Sequence, residues 1–98
     1  MTPEAKVKAK VVKILKDQGV YYFYPVTGGF GRSGVPDVIC CYMERFIAIE
    51  CKAGKNKPTP LQEAEMEKIR KAGGLAMVVN EDNIKDVEIL FEIIRNTA

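Results

Sequence analysis

The chain has 98 residues, of which 47% are hydrophobic and 29% charged, a balance typical of one globular domain spanning residues 1–98. It contains no histidine, which excludes histidine-based acid–base catalysis and a Ser-His-Asp triad. The cysteine count of three is odd and no secretory leader is predicted, which argues against a disulfide framework. The lack of histidine and of a CxxC pair argues against a zinc site. No apolar run is long enough to span a bilayer and the first residues indicate a helix rather than a signal peptide, so we expect an intracellular, cytoplasmic protein.

The formal net charge of +2 is too small to identify a nucleic-acid partner, but the charges are unevenly distributed. The first predicted helix carries five lysines: Lys6, Lys8, Lys10, Lys13 and Lys16. Lys55 and Lys57 lie in a polar loop, and acidic residues gather toward the C-terminal end. A solvated helix face explains the helix lysines as well as a phosphate-binding surface does. On the second interpretation, Lys8, Lys55 and Lys57 are expected to contact DNA.

The first elements in chain order are a helix, a strand and a glycine-rich loop. The helix is predicted from Pro3 to Gln18 with Thr2 as its N-cap, and Gly19 suits its end. Its apolar residues recur at helical spacing: Val7, Val11, Ile14 and Leu15. The aromatic and β-branched segment Val20–Val26 predicts a strand. The segment Thr27–Pro36 contains four glycines and predicts a loop.

Two strands, Asp37–Tyr42 and Phe46–Lys52, are predicted next and are joined by a tight turn. Thr59 opens a second helix with a T-x-x-Q capping box, and this helix is expected to end at Gly73-Gly74. A short strand, Leu75–Val79, precedes a last helix capped by Asp82 or Asn83. The strand before the second helix and the strand after it should be parallel, with a right-handed crossover. The order α-β-β-β-α-β-α predicts an α/β fold with a mixed sheet flanked by helices.

The register of the central hairpin decides which side chains meet. A two-residue turn at Glu44-Arg45, or a four-residue loop, places Asp37 opposite Lys52 and Glu50 on the same face. A three-residue turn would break this parity, and Glu-Arg is not a favoured two-residue turn. The sequence therefore favours, without forcing, a cluster of two carboxylates and one ammonium group at one end of the hairpin.

This cluster suits metal-dependent hydrolysis of a phosphodiester bond. Carboxylate oxygens bind Mg²⁺, which keeps several waters and accepts phosphate oxygens as further ligands. The metal lowers the pKa of a bound water, and Lys52 can orient or help deprotonate that water. The side chain of Cys51 points to the opposite face, but its backbone carbonyl is a candidate ligand beside Asp37 and Glu50.

A Glu-x-Lys triplet at the end of a strand is common by chance, so its context carries the argument. The segment 46–49 is apolar, which places Glu50 deep in a strand, and Pro36-Asp37 follows a glycine-rich loop. Burying a carboxylate without a partner costs several kcal/mol. A metal ion or a lysine therefore explains the acid better than chance does.

These motifs resemble those of the PD-(D/E)xK nuclease superfamily, which has a restriction-endonuclease-like core. More narrowly, nearly the whole chain resembles the virus-type replication-repair nuclease (VRR-NUC) family, whose small standalone members are found among bacteriophages. The resemblance includes an acid in the first helix, the G-x-G-R-x-G-x-P-D segment from Gly29 to Asp37, and the Glu50-Cys51-Lys52 strand. It also includes the start of the second helix at Thr59.

The resemblance implies a Mg²⁺- or Mn²⁺-dependent phosphodiesterase in which Asp37 and Glu50 bind metal and Lys52 is the catalytic lysine. It implies accessory roles for Glu4, as a possible further metal ligand, and for Gln62. Each has a structural alternative, because Gln62 can serve only as the capping-box residue and acids favour the first turn of a helix. The position of Glu4 over the buried stripe of its helix favours a functional role.

In the glycine-rich loop, Arg32 and Ser33 can bind a phosphate through the guanidinium group, the hydroxyl and backbone N–H groups. The glycines can instead serve only a tight turn. The resemblance implies a DNA endonuclease acting on branched or structured DNA, in the manner of a Holliday-junction resolvase, and a homodimeric assembly, whereas the residues themselves indicate only phosphodiester chemistry. A non-catalytic DNA-binding module with the same fold and a protein-binding subunit that binds no metal are the alternatives.

Overall fold

The computed structural model of the chain describes residues 1–26 and 31–98. Its helices are α1 (Pro3–Asp17), α2 (Pro60–Lys71) and α3 (Lys85–Thr97). Its strands are β1 (Tyr21–Phe23), β2 (Val38–Tyr42), β3 (Arg45–Cys51) and β4 (Leu75–Val79). The predicted order α-β-β-β-α-β-α is confirmed. Residues 27–30, the first four of the predicted glycine-rich loop, lie outside the described residues.

The four strands form one mixed sheet in the order β1-β2-β3-β4. β2 is antiparallel to both of its neighbours, β1 and β3, whereas β3 is parallel to β4 with α2 as the connection. This arrangement confirms the predicted mixed sheet with a crossover unit. Among the described residues no helix has the length and hydropathy needed to cross a membrane.

The core lies between one face of the sheet and the helices α1 and α3. Alternate residues of β3 point into it, together with the inward faces of the two helices. Its fully buried members include Val7, Val11 and Leu15 of α1, Ile47 and Ile49 of β3, and Val87 and Phe91 of α3. The other alternate residues of β3, which include Glu50, point to the opposite face of the sheet, where α2 packs beside β4. The sheet therefore separates the main core from the face that carries the candidate site.

The hairpin register differs from the prediction by two residues. Val38 pairs with Ile49, and Tyr42 pairs with Arg45, so the turn consists of Met43 and Glu44 rather than Glu44-Arg45. Both turn residues have positive φ, 47° and 70°, as in the two-residue turns that match the twist of a hairpin. A shift of two residues preserves which side chains share a face. The predicted partners are therefore wrong, but the predicted face is right.

Several element boundaries also differ from the prediction: β2 begins one residue later, at Val38, and β3 begins and ends one residue earlier, at Arg45 and Cys51. β1 ends at Phe23 rather than at residue 26, because Pro25 has no N–H to donate to a neighbouring strand. Helix α1 ends at Asp17, with Gln18 as its C-cap. Helix α3 begins after Ile84, and neither Asp82 nor Asn83 caps it. The Asn83 side chain instead accepts from Asn80 N at 2.7 Å and donates to Val78 O at 2.9 Å, which closes the turn after β4.

Candidate active site

Asp37 and Glu50 are held side by side where β2 begins and β3 ends. One step beyond the last pair of the ladder, Val38 with Ile49, Asp37 lies opposite Glu50. The backbone N–H of Asp37 donates to Oε1 of Glu50 at 3.2 Å. The backbone N–H of Cys51 donates to Oδ2 of Asp37 at 2.8 Å. Each carboxylate is therefore fixed by the backbone of the strand that carries the other carboxylate.

Lys52 completes the cluster one residue beyond β3. Its Nζ lies 3.4 Å from Oε2 of Glu50, and its side chain is 13% exposed. Its backbone N–H donates to the carbonyl of Val79 at 2.9 Å, which continues the parallel pairing to β4 past the end of β3. The structure thus brings Asp37, Glu50 and Lys52 together on one face, as the parity of the hairpin predicts.

The electrostatics of the cluster are dominated by the burial of Glu50. Its residue surface is 1% exposed, and this burial raises the pKa of Glu50 to about 7. The charge of Asp37 and the hydrogen bonding between the two acids raise it as well, whereas Lys52 lowers it. One lysine therefore does not neutralise the pair, and a further cation at the two carboxylates would relieve their repulsion.

Glu4 and Lys8, on the first turns of α1, border the same end of β3. Burial raises the pKa of the Cys51 thiol to about 12, and the charges of Asp37, Glu50 and Glu4 act in the same direction while Lys8 opposes them. Glu4 is exposed. The Lys8 Nζ lies 4.5 Å from the centroid of the Tyr24 ring, which restrains the ammonium group beside the site.

Gln62 has the structural role that the sequence allows. Its side-chain oxygen accepts from Thr59 N at 2.9 Å, and its backbone N–H donates to the Thr59 hydroxyl at 3.2 Å, so the capping box is complete. Gln62 also lines a polar hollow of about 430 Å³ together with Pro25 and residues 31–35. The side chain thus borders the polar hollow while its oxygen is used by the helix cap.

The loop before Asp37 is pressed against the start of α2. Gly34 has a φ of +76°, and a Cβ built on it would lie 2.6 Å from the backbone carbon and oxygen of Leu61. Pro36 is fully buried. The glycine is therefore required both for its backbone conformation and for the close approach of the loop to the helix. These contacts fix the chain immediately before the first carboxylate.

The predicted DNA-binding residues differ in their surroundings. Arg32 forms an ion pair with Glu65 of α2, and Ser33 is exposed beside it. Lys55 and Lys57 are exposed in the loop that follows β3. The loop containing the two lysines is anchored because the N–H of Gly54 donates to Glu81 at 2.9 Å.

Glu65 is a buried acid beside Arg32 that the sequence patterns did not single out. It lies on the inward face of α2, where it is followed by the buried Met66. The available signal was its helical spacing, since Glu65 lies three residues after Gln62 and four before Ile69. An acid within the inward stripe of a helix indicates a buried partner.

A model of the family described as archaeal Holliday junction resolvase (Hjc) matches residues 5–93 of the chain. No curated protein is significantly similar in sequence to this chain. A solved structure described as a VRR_NUC domain is 27% identical with a TM-score of 0.75, covering 94% of this chain and 97% of that chain. Another, described as a VRR_NUC domain protein, is 24% identical with a TM-score of 0.75, covering 95% of this chain and 90% of that chain.

A more distant likeness is to Hjc of Archaeoglobus fulgidus, a Holliday junction resolvase from an archaeal hyperthermophile. It is 18% identical with a TM-score of 0.57, and the match covers 79% of this chain and 65% of that chain. The predicted resemblance to VRR-NUC nucleases and the predicted nuclease fold are thereby confirmed. Because the family model matches nearly the whole sequence, the chain belongs to the archaeal Holliday junction resolvase (Hjc) family.

Proposed function

We propose that the chain is a divalent-metal-dependent endonuclease that hydrolyses phosphodiester bonds in branched DNA. Membership of the resolvase family supports a nuclease with branched DNA as its substrate. The observation that carries the metal-dependent chemistry is the carboxylate pair of Asp37 and Glu50, locked together through backbone hydrogen bonds and flanked by Lys52. This donor set is the one that hard divalent cations bind in proteins.

The residues present fit Mg²⁺ or Mn²⁺. Asp37 and Glu50 are held in a partly buried site, where burial and then the charge of Asp37 raise the pKa of Glu50. The described residues contain no cluster of three or more His, Cys, Asp or Glu side chains that could hold a metal. Mg²⁺ commonly keeps several waters and binds through one or two carboxylates. The two acids would therefore hold the ion, with the Cys51 carbonyl and Glu4 as candidate further ligands.

When bound, the metal would polarise a phosphodiester and lower the pKa of a water at the site. The residues of the chain supply the remaining functions. Lys52 is held beside Glu50, where its ammonium group offsets negative charge and can donate to the attacking water or to a phosphate oxygen. The hydrogen bonds between the two strands keep both carboxylates in one geometry, so little reorganisation accompanies substrate binding.

The proposed DNA interface surrounds this centre. Lys8 borders the end of β3 from α1, and Lys55 and Lys57 project from the loop that follows β3. Arg32 and Ser33 line the polar hollow on the loop that leads to Asp37. The half-buried Lys8, the exposed cations of the two loops and a hydroxyl suit a phosphate backbone.

We also propose a homodimer, because paired cuts in a four-way junction need two active sites at a fixed separation. Support comes from apolar side chains left exposed on α3, where Ile89 is 50% and Ile93 55% exposed. Two-fold dimers are the commonest way in which such surfaces are covered.

The main alternative function is a DNA-binding module without catalysis, which would not need the buried, paired carboxylates.

The test is incubation of the purified protein with flap, fork, four-way and linear DNA, with and without Mg²⁺ or Mn²⁺. We expect cleavage of the branched substrates only when the metal is present. Asp37→Asn and Glu50→Gln should each abolish cleavage while leaving the circular dichroism spectrum unchanged, and Asp82→Asn, at an exposed acid, is the matched control. DNA binding without cleavage under any metal condition would establish the alternative. Near-normal activity in Asp37→Asn or Glu50→Gln would show that the site is elsewhere.

A further inference from the structure

Glu65 is a buried acid outside the carboxylate pair. Glu50 and Glu65 are the two charged residues that are buried among the described residues, and Glu65 is 8% exposed. It lies on α2, beside the fully buried Met66, and does not belong to the hydrogen-bonded cluster of Asp37 and Glu50. Because a buried carboxylate is costly unless it is paired, the partner of Glu65 has to be identified.

The partner is Arg32, which lies in the loop that leads to Asp37. The Arg32 Nε donates to Oε1 of Glu65, and its Nη2 lies 3.3 Å from Oε2, so both carboxylate oxygens are bound. The hydrogen bond from Arg32 lowers the pKa of Glu65 below its usual value. A two-point contact of this kind fixes the plane of a guanidinium group as well as its position.

The two partners differ in exposure. The side chain of Glu65 is 11% exposed, whereas that of Arg32 is 63% exposed. The edge of the guanidinium group that carries Nε and Nη2 is bound by Glu65, and Nη1, on the other edge, takes no part in this pair. Arg32 also lines the polar hollow of about 430 Å³ formed with Ser33 and Gln62. The outer donors thus lie at the rim of a polar hollow, five residues before Asp37 in the chain.

We propose that Glu65 is a positioning residue for substrate binding, which holds Arg32 at the rim of the polar hollow so that its outer edge binds a DNA backbone phosphate. The inference deepens the proposed function, on which it rests, since the ligand is the phosphate backbone of the nuclease substrate. An arginine that is already fixed loses less conformational entropy on binding than a mobile one. A guanidinium group can bind a carboxylate through one edge and still donate to a phosphate through the other.

For a substitution at Glu65, the change in net charge and the proposed role of Glu65 predict opposite changes in DNA affinity. Glu65→Gln adds one positive unit to a formal net charge of +2, which by itself strengthens binding to DNA. The inference predicts weaker binding, because Arg32 is released from its fixed position. We expect the Kd for a labelled four-way junction to rise about tenfold, the scale of one charge-assisted hydrogen bond. The Kd is measured by fluorescence anisotropy in EDTA, which removes divalent metal and so prevents metal-dependent cleavage.

The salt dependence of binding separates loss of a phosphate contact from a general structural effect. Loss of one contact should lower the slope of log Kobs against log salt concentration by about 0.9. Arg32→Gln should lower the slope by the same amount, and the double variant Arg32→Gln/Glu65→Gln should bind no more weakly than Arg32→Gln. Glu67→Gln is the control, because Glu67 is an exposed acid on the same helix, 3.7 Å from Arg70.

A swapped pair, Arg32→Glu/Glu65→Arg, covers the case in which Glu65→Gln fails to fold. It keeps an ion pair between the loop and α2 but removes the guanidinium group from the rim. We expect near-wild-type thermal stability and weak junction binding. Wild-type affinity in the swapped protein would overturn the inference, as would equal or tighter binding by Glu65→Gln or additive losses in the double variant. If the wild-type protein neither binds nor cuts junctions, the proposed function fails as well.

Discussion

The backbone N–H of Asp37 donates to Oε1 of Glu50 at 3.2 Å, so the carboxylate of Glu50 is held by the backbone of the other acid. The relationship is reciprocal, because Oδ2 of Asp37 accepts from the N–H of Cys51, the residue after Glu50, at 2.8 Å. The two acids are therefore locked across the end of the hairpin before any ligand binds. The burial of Glu50 and its repulsion from Asp37 are part of the folded state, and they make the stability of the metal-free protein depend on pH.

Glu50→Gln should make the metal-free protein more stable above neutral pH. In the folded protein, burial and the charge of Asp37 raise the pKa of Glu50 from 4.5 to about 7. An acid with a raised pKa contributes stability below its unfolded value, and that stability is lost as the pH rises through its folded value. Urea unfolding in EDTA should therefore show the variant more stable than wild type at pH 8, by about 1–3 kcal/mol, and nearly equal to it at pH 4.5.

The measured quantity is the difference in free energy of unfolding between Glu50→Gln and wild type, so the contributions of the other titrating acids cancel. Asp82→Asn, at an exposed acid, should follow the wild-type profile throughout. Addition of Mg²⁺ at pH 8 should stabilise the wild type and leave Glu50→Gln unchanged, because only a protein that binds the ion gains from it. A difference between Glu50→Gln and wild type that is the same at pH 4.5 and pH 8 would contradict the burial of an ionised Glu50.

Lys52→Ala should retain metal binding and lose most of its turnover. The Lys52 Nζ lies 3.4 Å from Glu50 and forms no part of the carboxylate donor set. Loss of a group that orients or deprotonates the attacking water typically lowers the rate by about 10²–10⁴-fold. Calorimetry with Mn²⁺ at pH 8 and single-turnover cleavage measure the two properties, with Lys85→Ala, at an exposed lysine, as the control. A variant that loses metal but keeps turnover would reverse the assigned role.

Gly34→Ala should destabilise the protein more than Gly54→Ala does and should also reduce cleavage. Both glycines have positive φ, 76° and 58°, so both substitutions introduce similar backbone strain, about 1 kcal/mol. Only at Gly34 would the new Cβ meet backbone, at 2.6 Å from Leu61, whereas nothing lies within 4 Å at Gly54. We expect a loss of about 2–4 kcal/mol for Gly34→Ala. Equal losses in urea unfolding would show that the loop does not approach α2 this closely.

Met43→Asn/Glu44→Gly should stabilise the hairpin. Met43 and Glu44 have φ values of 47° and 70°, which favour asparagine and glycine over their own side chains. Relief of this strain should raise the free energy of unfolding by about 1 kcal/mol. Glu44→Ala, which keeps a Cβ at the same φ, is the control and should bring no such gain. No gain in the double variant would favour the turn at Glu44-Arg45 that the sequence predicted.

The hairpin illustrates how much of the site could be predicted from the sequence. The shared face of Asp37, Glu50 and Lys52 depends only on the parity of the register. It was therefore predicted correctly although the turn was placed one residue too late in the sequence. Which carboxylate lies opposite which residue depends on the turn conformation. That conformation could not be predicted because neither Met43 nor Glu44 is a residue that typically adopts positive φ.

Contacts between segments distant in sequence were the other feature that could not be predicted from the sequence. The pairing of Arg32 with Glu65 joins residues 33 positions apart, and no local pattern links a glycine-rich loop to the face of a later helix. The cap of α3 failed for a related reason, since the Asn83 side chain hydrogen-bonds to Asn80 and to the end of β4 instead of the helix. The helices and most strands were predictable because their apolar periodicity is local.

We expect the protein to dimerise through the exposed side of α3. Ile89 and Ile93 are 50% and 55% exposed, and with Leu75 they line an apolar hollow of about 400 Å³ beside the edge strand β4. Arg70 and Asp86 also line it, so a copy related by two-fold symmetry can place an acid opposite a base. Light scattering at micromolar concentration should give a mass twice the 10.9 kDa of the chain.

Ile89→Lys/Ile93→Lys should convert this dimer into a folded monomer, because charges in an apolar interface lose their hydration. Tyr21→Lys is the control, since Tyr21 is 69% exposed on the opposite edge strand, β1, and should not affect the mass. The monomeric variant should nick one strand of a four-way junction without the paired second cut. A wild-type monomer that still makes both cuts symmetrically would refute the link between dimer and symmetric cleavage. A dimer broken by Tyr21→Lys instead would move the interface to the other edge of the sheet.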